Sequence, residues 1–262
     1  MWKFLFAFFL LCFSAMAQGQ DILSTLGRYS YQVQLNKQCV TPQAMGFFVR
    51  YEQRLFFITT ARCVTGWDPV KTKLDEDFPD TIFIKIAADT SKAAYLPLPI
   101  SEIKKTAKRF KEIESPDVYV LEIKNPKRYN VFSIEDFFEE EVPCELAKQV
   151  VVAGQTVNGN MKDAAGNTDN AYRLNASLTS AYCNYPYLPD AKVYDQLHYF
   201  ASFKENMTDQ FLAGSPAYLV IEDEAIVFGG IYIGSTRGGA MTGRIVRPEY
   251  VMNKIKKRIL DK

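Results

Sequence analysis

Short stretches rich in β-branched and aromatic residues recur along the chain, separated by polar segments that contain glycine, asparagine and aspartate. Such stretches predict β-strands, because these side chains pack well on a pleated surface. The predicted strands lie within residues 29–49, 55–60, 81–86, 118–123, 150–153, 172–178, 197–203, 217–220 and 225–233. Strands do not alternate with long helical segments, so the pattern favours an all-β fold over an α/β fold.

The end of the chain carries the clearest helical pattern. Pro248 suits the first turn of a helix, where its missing N–H costs nothing. Apolar residues then repeat at i, i+4 and i+8, namely Val251, Ile255 and Ile259. This spacing predicts a C-terminal α-helix. A short helical turn is also predicted at 133–138, with Ser133 as its N-cap.

Residues 1–17 read MWKFLFAFFLLCFSAMA, with one lysine, an apolar run and a final Ala-Met-Ala. This arrangement is typical of a signal peptide, and it predicts cleavage near Ala17. We therefore expect a secreted or periplasmic protein. The apolar run is too short to span a bilayer, and no other stretch approaches the roughly 20 apolar residues that a span needs. No membrane span is predicted.

Composition indicates a globular protein without a strong electrostatic field. The chain has 262 residues, of which 48% are hydrophobic, enough to bury a large core. Its 31 basic and 30 acidic residues give a formal net charge of +1, which does not attract nucleic acid. The basic runs at 104–111 and 254–258 lack interleaved aromatic residues, so they indicate solvated faces. We predict no nucleic-acid partner.

The cysteines fit an exported protein. One of the five cysteines lies in the predicted leader, which leaves Cys39, Cys63, Cys144 and Cys183. Four cysteines permit two disulfides in three alternative pairings. A metal site is disfavoured because no CxxC pair occurs and the chain has a single histidine, His198. No metal and no cofactor are predicted.

Three segments follow one another in an order typical of one protein family. They are GFFV at 46–49 with LFFITTARCV at 55–64, SPDVYVLEI at 115–123, and AGSP at 213–216 with FGGIYIG at 228–234. Together they resemble the three catalytic segments of the chymotrypsin-like (trypsin-like) serine proteases. With the terminal helix, the resemblance covers most of the mature chain.

The resemblance implies two packed six-stranded Greek-key β-barrels of the chymotrypsin type with a C-terminal α-helix. Placed on this chain, it predicts a signal peptide at 1–17, an N-terminal barrel at 18–130, and a C-terminal barrel with the helix at 131–262. Cys63 matches a family cysteine whose partner lies on the preceding strand, for which Cys39 is the nearest candidate. The resemblance thus suggests a Cys39–Cys63 disulfide and leaves Cys144 and Cys183 paired or free.

Mapped onto the family, the catalytic residues are degenerate. Arg62 stands at the general-base histidine, Asp117 at the orienting aspartate and Ala213 at the nucleophile. A methyl group cannot attack a carbonyl carbon, and a guanidinium stays protonated and cannot accept a proton. Phe211 replaces a glycine whose N–H helps to form the family's oxyanion hole. We therefore predict a pseudoprotease, in which Arg62 and Asp117 form a salt bridge that replaces catalysis with structure.

Three functions remain open at this point. The first is non-hydrolytic binding of a peptide or protein, because in the family a strand edge near 230–234 binds extended peptide. The candidate binding residues are Phe211, Gly214, Ser215, Gly230, Tyr232 and Gly234. The second is an active hydrolase with a site rebuilt from Ser215 and His198. The third is a purely structural secreted domain held by its disulfides. The sequence identifies neither a ligand nor an oligomeric state.

Overall fold

The computed structural model describes most of the two predicted β units. It covers residues 26–37, 43–68, 73–75, 77–86, 95–107, 117–139, 147, 149–155, 171–180, 198–203, 212–221, 225–236 and 239–260. The predicted leader at 1–17 lies outside these residues. So do four of the predicted site residues, namely Cys39, Cys144, Cys183 and Phe211.

The first half of the chain forms a six-stranded antiparallel sheet and a separate two-stranded one. Its strands are β1 (Tyr31–Gln34), β2 (Ala44–Tyr51), β3 (Arg54–Thr59), β4 (Trp67–Asp68), β5 (Lys73–Leu74), β6 (Thr81–Lys85), β7 (Tyr95–Pro99) and β8 (Tyr119–Glu122). β4 pairs with β5, and the other six strands have the order β7-β6-β1-β2-β3-β8. In β6 and β7, buried and more exposed residues alternate, because successive side chains point to opposite faces of a strand. The buried residues are Ile82, Ile84, Leu96 and Leu98.

The second half forms a closed six-stranded barrel. Its strands are β9 (Gln149–Gln155), β10 (Ala171–Ser180), β11 (His198–Phe203), β12 (Pro216–Val220), β13 (Ile226–Thr236) and β14 (Gly239–Val246). They follow the order β10-β11-β14-β13-β12-β9, and every pair is antiparallel. The predicted architecture of two six-stranded β units is confirmed. The first unit differs in that β7 and β8 do not pair among the described residues, and Pro97 and Pro99 remove two N–H donors from β7.

In the part of the chain that the structure describes, three α-helices accompany the strands: α1 (Ala61–Thr65), α2 (Ser101–Ala107) and α3 (Pro248–Leu260). The predicted C-terminal helix is confirmed as α3. The predicted cap at Ser133 is wrong, because the short 3-10 turn Glu135–Phe137 follows Ile134 and the Ser133 hydroxyl donates instead to the Glu135 carboxylate, at 2.8 Å. Across the described ranges, no helix is both long and apolar enough to cross a membrane.

A shared apolar layer joins the two β units. Phe47 and Phe56 on the first sheet pack with Phe228 on β13 and with Val251 on α3, and all four are fully buried. The Phe47 and Phe228 rings meet with centroids 5.3 Å apart. Separate apolar clusters fill the inside of the first sheet and the inside of the barrel. The candidate site lies at this junction between the first sheet and the barrel, so both β units position its residues.

Candidate functional site

Arg62 is positioned by the short helix α1, which begins directly after β3. Thr60 is still extended, and Gly66 ends the helix in the left-handed conformation with φ +73°, its N–H bound to the Arg62 carbonyl at 3.0 Å. A Cβ at position 66 would lie 2.6 Å from Phe78, so glycine is required there for packing as well. These constraints fix where the Arg62 side chain leaves the first sheet.

The Arg62 side chain links the two β units. Its Nε lies 3.2 Å from the Asp117 Oδ2, and the Arg62 backbone N–H donates to the Asp117 Oδ1 at 2.9 Å. Its Nη2 donates to the Ile233 carbonyl on β13, also at 2.9 Å. The hypothesised Arg62–Asp117 salt bridge is therefore present. The Arg62 side chain is 32% exposed and that of Asp117 is 13% exposed, so solvent screens this pair in part.

The loop that carries Ala213 is built into the junction by its backbone. The Ala213 carbonyl accepts from the Met45 N–H of β2 at 2.8 Å. Gly214 donates to the Tyr232 carbonyl at 2.7 Å, and Tyr232 returns a hydrogen bond to the Ser215 carbonyl at 2.9 Å. Ala213 is only 4% exposed. Hydrogen bonds on both sides thus hold the loop between β2 and β13.

Gly214 has a steric role in this loop. Its φ is +97°, which side chains rarely adopt, and a Cβ there would lie 2.0 Å from the Met45 carbonyl oxygen. That oxygen also accepts from the Thr59 hydroxyl at 2.6 Å. The close approach of the loop to β2 therefore requires a glycine.

Cys63 lies on the buried side of α1, beside Arg62. The Cys63 thiol is free, and it shares a hydrogen bond with the Thr59 hydroxyl at 3.2 Å. Burial raises the pKa of the Cys63 thiol to about 11, against the lowering effect of the Thr59 hydrogen bond. Cys63 thus does not form the disulfide that the resemblance suggested, and Cys39 lies outside the described residues. Such a protonated, buried thiol is a poor nucleophile.

The pair Ser215 and His198 is not brought together. A Cβ on Gly154 would lie 3.3 Å from the Ser215 hydroxyl, which places that hydroxyl towards the barrel interior. His198 pairs with Val246, and Val246 packs in the layer outside the barrel. Directly paired residues face the same side of a sheet, so the two side chains lie on opposite sides of the barrel wall. The buried Ser215 hydroxyl has no hydrogen-bond partner among the described residues.

Most of the candidate binding residues are buried. Gly214, Ser215, Gly230 and Tyr232 are all buried, and Tyr232 belongs to the core of the barrel. A Cβ on Gly230 would lie 2.0 Å from the Val246 carbonyl oxygen, which again indicates a packing role. Gly234 is partly exposed, and it lies beside the Arg62 guanidinium. Of the candidate binding residues that the structure describes, only Gly234 is therefore accessible to solvent.

Two important groups of the site are backbone atoms that sequence reasoning missed. The Ile233 carbonyl accepts from Arg62, and the Met45 N–H donates to the Ala213 carbonyl of the loop. Every residue has these groups, so residue type gave no signal for them. Only the folded structure shows that Tyr232 forms hydrogen bonds with the loop and that the next residue, Ile233, accepts one from Arg62.

Positions 62 and 213 of the described site carry an arginine and an alanine. A guanidinium on an aspartate stays charged, donates hydrogen bonds and accepts no proton. Ala213 offers no hydroxyl. Among the described residues, no group of three or more potential metal ligands is present.

Comparisons with known proteins reveal similarity at the level of structure. No family model matches the sequence, and no curated protein matches it. The inactive form of the Rv3671c protease is 14% identical with a TM-score of 0.51, over 91% of this chain and 93% of that one. The active form, from M. tuberculosis, is 16% identical with a TM-score of 0.50, over 90% of this chain and 83% of that one.

A mutant of human heparin binding protein (CAP37) is similar to the same degree. It is 13% identical with a TM-score of 0.50, over 88% of this chain and 91% of that chain. At such low identity these similarities show the fold alone. That fold is the chymotrypsin-like arrangement of two β units with a C-terminal helix.

Proposed function

We propose that this chain is a secreted, non-hydrolytic homologue of the trypsin-like serine proteases that binds an extended peptide or protein segment. The observation that carries the proposal is the Arg62 guanidinium, bound at once to Asp117 and to the Ile233 carbonyl. It fills the place where catalysis in this fold needs a base, and it is a permanent cation. Ala213 supports the same conclusion, because the loop keeps its hydrogen bonds without a nucleophile.

Binding is supported by the strand that the site leaves accessible. Beyond Tyr232, β13 pairs with β14 on one side, and the described residues place no strand on its other side. An unpaired strand edge presents N–H and C=O groups to which an extended chain can add. The partly exposed Gly234 lies on this edge. A protein or peptide segment is therefore the kind of partner that we propose.

The experiment is covalent labelling of the purified protein with a fluorophosphonate probe, followed by mass spectrometry to locate the label. We expect no label on the parent protein. The double variant Arg62→His, Ala213→Ser supplies a hydroxyl and a base at the degenerate positions, and it is the matched positive control. Label at position 213 of this variant would add that the surrounding geometry accommodates the chemistry.

Label on Ser215 or on another serine of the parent protein would overturn the proposal in favour of a rebuilt hydrolase site. The described geometry disfavours that result, since Ser215 and His198 lie on opposite sides of the barrel wall. Binding is tested separately, by selecting peptides from a random dodecapeptide display library on the purified protein. Failure to select any binder would favour a purely structural domain.

A further inference from the structure

The unpaired edge of β13 begins where the Ala213 loop ends. Tyr232 uses both of its backbone groups on Gly214 and Ser215 of that loop. The next residue, Ile233, directs its carbonyl towards Arg62. From Gly234 to Thr236, β13 pairs with β14 alone within the described part of the chain, and Ile233 lies at the register shift between Tyr232 and Gly234. The Ile233 carbonyl is thus the first acceptor that an added strand would meet.

Arg62 already occupies that acceptor. Its Nη2 donates to the Ile233 carbonyl at 2.9 Å, while its Nε stays on Asp117. A Cβ on Gly234 would lie 3.5 Å from the same Nη2, so the guanidinium lies against the β13 backbone. Because the Arg62 side chain is only half-buried, it can leave Ile233 for solvent without breaking the core.

We propose that Arg62 closes the β13 edge, and that an extended ligand binds by displacing Nη2 from the Ile233 carbonyl with a backbone N–H of its own. Asp117 retains the guanidinium in both states and so keeps the displaced charge paired. This inference rests on the proposed binding function. The ligand must break a charge-assisted hydrogen bond before it forms a neutral one, so we expect the contact to lower peptide affinity about tenfold.

The test compares peptide affinity with and without the Arg62 contact. The main variant is Arg62→Met with Asp117→Asn, which removes both charges together and leaves an amide oxygen to accept from the backbone N–H of residue 62. The probe is a dodecapeptide selected from a random display library on this variant. Isothermal titration calorimetry should give a Kd about tenfold lower for the variant than for the parent protein. Arg50→Met, which removes a distant surface ion pair, should match the parent.

A set of singly N-methylated peptides identifies the hydrogen bond itself. At one position N-methylation should remove the gain of the double variant, because that N–H donates to the Ile233 carbonyl. The same change should alter binding to the parent much less, since Arg62 competes for the acceptor there. A gain that no single N-methylation removes would overturn the proposal, because the gain would then not depend on this carbonyl.

Equal affinities for the parent and the double variant would overturn the closing role of Arg62 and leave the proposed binding function standing. If the library gives no binder on either protein, the binding function fails and the closing role fails with it. Circular dichroism checks that the double variant is folded. If it is not, the peptide is selected and its affinity measured on Arg62→Lys instead, since a single ammonium on a shorter side chain cannot reproduce the forked contact with Asp117 and Ile233. The same increase in affinity is expected.

Discussion

The two sides of the candidate site are held in place in different ways. On the first sheet, a charged side chain, Arg62, satisfies Asp117 and remains in contact with solvent. On the barrel, Ala213 and Ser215 are buried, and backbone hydrogen bonds hold their loop against β2 and β13. The first side therefore depends on charge, because a carboxylate there needs a partner. The stability of the second side depends on the small volume of the loop's side chains and on the conformation of its backbone.

Gly214→Ala should produce the largest effect and sharpen this contrast. The left-handed backbone and the 2.0 Å approach to the Met45 carbonyl oppose any side chain, so we expect the free energy of unfolding to fall by about 3 kcal/mol or more. Urea denaturation measures this loss. Gly234→Ala is the matched control. The φ of Gly234 is also positive, at +109°, but a Cβ there would lie 3.5 Å from the Arg62 Nη2, which is an ordinary contact.

We expect Gly234→Ala to cost only about 1 to 2 kcal/mol, which is the backbone strain without the clash. Equal losses at the two glycines would contradict the conclusion that the Ala213 loop is held by close packing.

Cys63 tests whether a residue next to Arg62 behaves like the charged Arg62 side of the site or like the buried Ala213 loop. It is adjacent to Arg62, yet it is buried, and burial raises the pKa of its thiol from 9.0 to about 11. The folded state keeps a proton that the unfolded state releases, so this stabilising contribution is fully present below about pH 9. It is lost as the pH rises towards 11. Over this pH range the free energy of unfolding should fall by about 2 to 3 kcal/mol.

Urea denaturation between about pH 8 and pH 11 measures the Cys63 effect, with Cys63→Ser as the control that cannot ionise in this range. The control should lose less stability than the parent below about pH 10. Above about pH 10, ionisation of Tyr31 also lowers the stability of both proteins, because burial raises the pKa of Tyr31 to about 12. Identical pH profiles for the two proteins would show that Cys63 is not part of the core.

The sequence predicts the fold better where strands are continuous runs of aliphatic and aromatic residues. β3 and β8 follow their apolar runs closely, whereas β7 and β14 were missed. β7 reads YLPLP and β14 reads GAMTGRIV, so proline and glycine hide two strands that their neighbours hold in register. Local propensity alone does not report such tertiary pairing.

Some features of the candidate site were predictable from the sequence, and others were not. The Arg62–Asp117 pair was predictable because opposite charges stand at two positions that the family resemblance brings together. The contact with Ile233 was not, because a backbone carbonyl has no residue signature. Gly214 and Gly230 were predicted to bind a ligand, but both pack closely against neighbouring carbonyl groups. Glycine in a sequence indicates close approach without revealing whether a ligand or the chain itself approaches.

Asp117→Ala should have a smaller effect than the glycine variant. It removes the acceptors of the Arg62 backbone N–H and Nε, so we expect a loss of about 2 kcal/mol in urea denaturation, limited by solvent screening. Arg50→Ala is the control, because it removes a more exposed ion pair with a 4.0 Å separation and should cost at most about 0.5 kcal/mol. If both variants lost the same small amount, Arg62 and Asp117 would form an ordinary surface pair.

Salt should have the smallest effect and should separate the two sides most directly. Raising the NaCl concentration from about 0.05 M to about 0.5 M shortens the screening length severalfold, so the loss caused by Asp117→Ala should shrink by a few tenths of a kcal/mol. The loss caused by Gly214→Ala should not shrink, because steric contact with Met45 involves no net charge. Urea denaturation of the parent and both variants at the two concentrations measures this difference. Equal salt responses in the two variants would contradict the conclusion that charge stabilises the Arg62–Asp117 pair and that close packing stabilises the Ala213 loop.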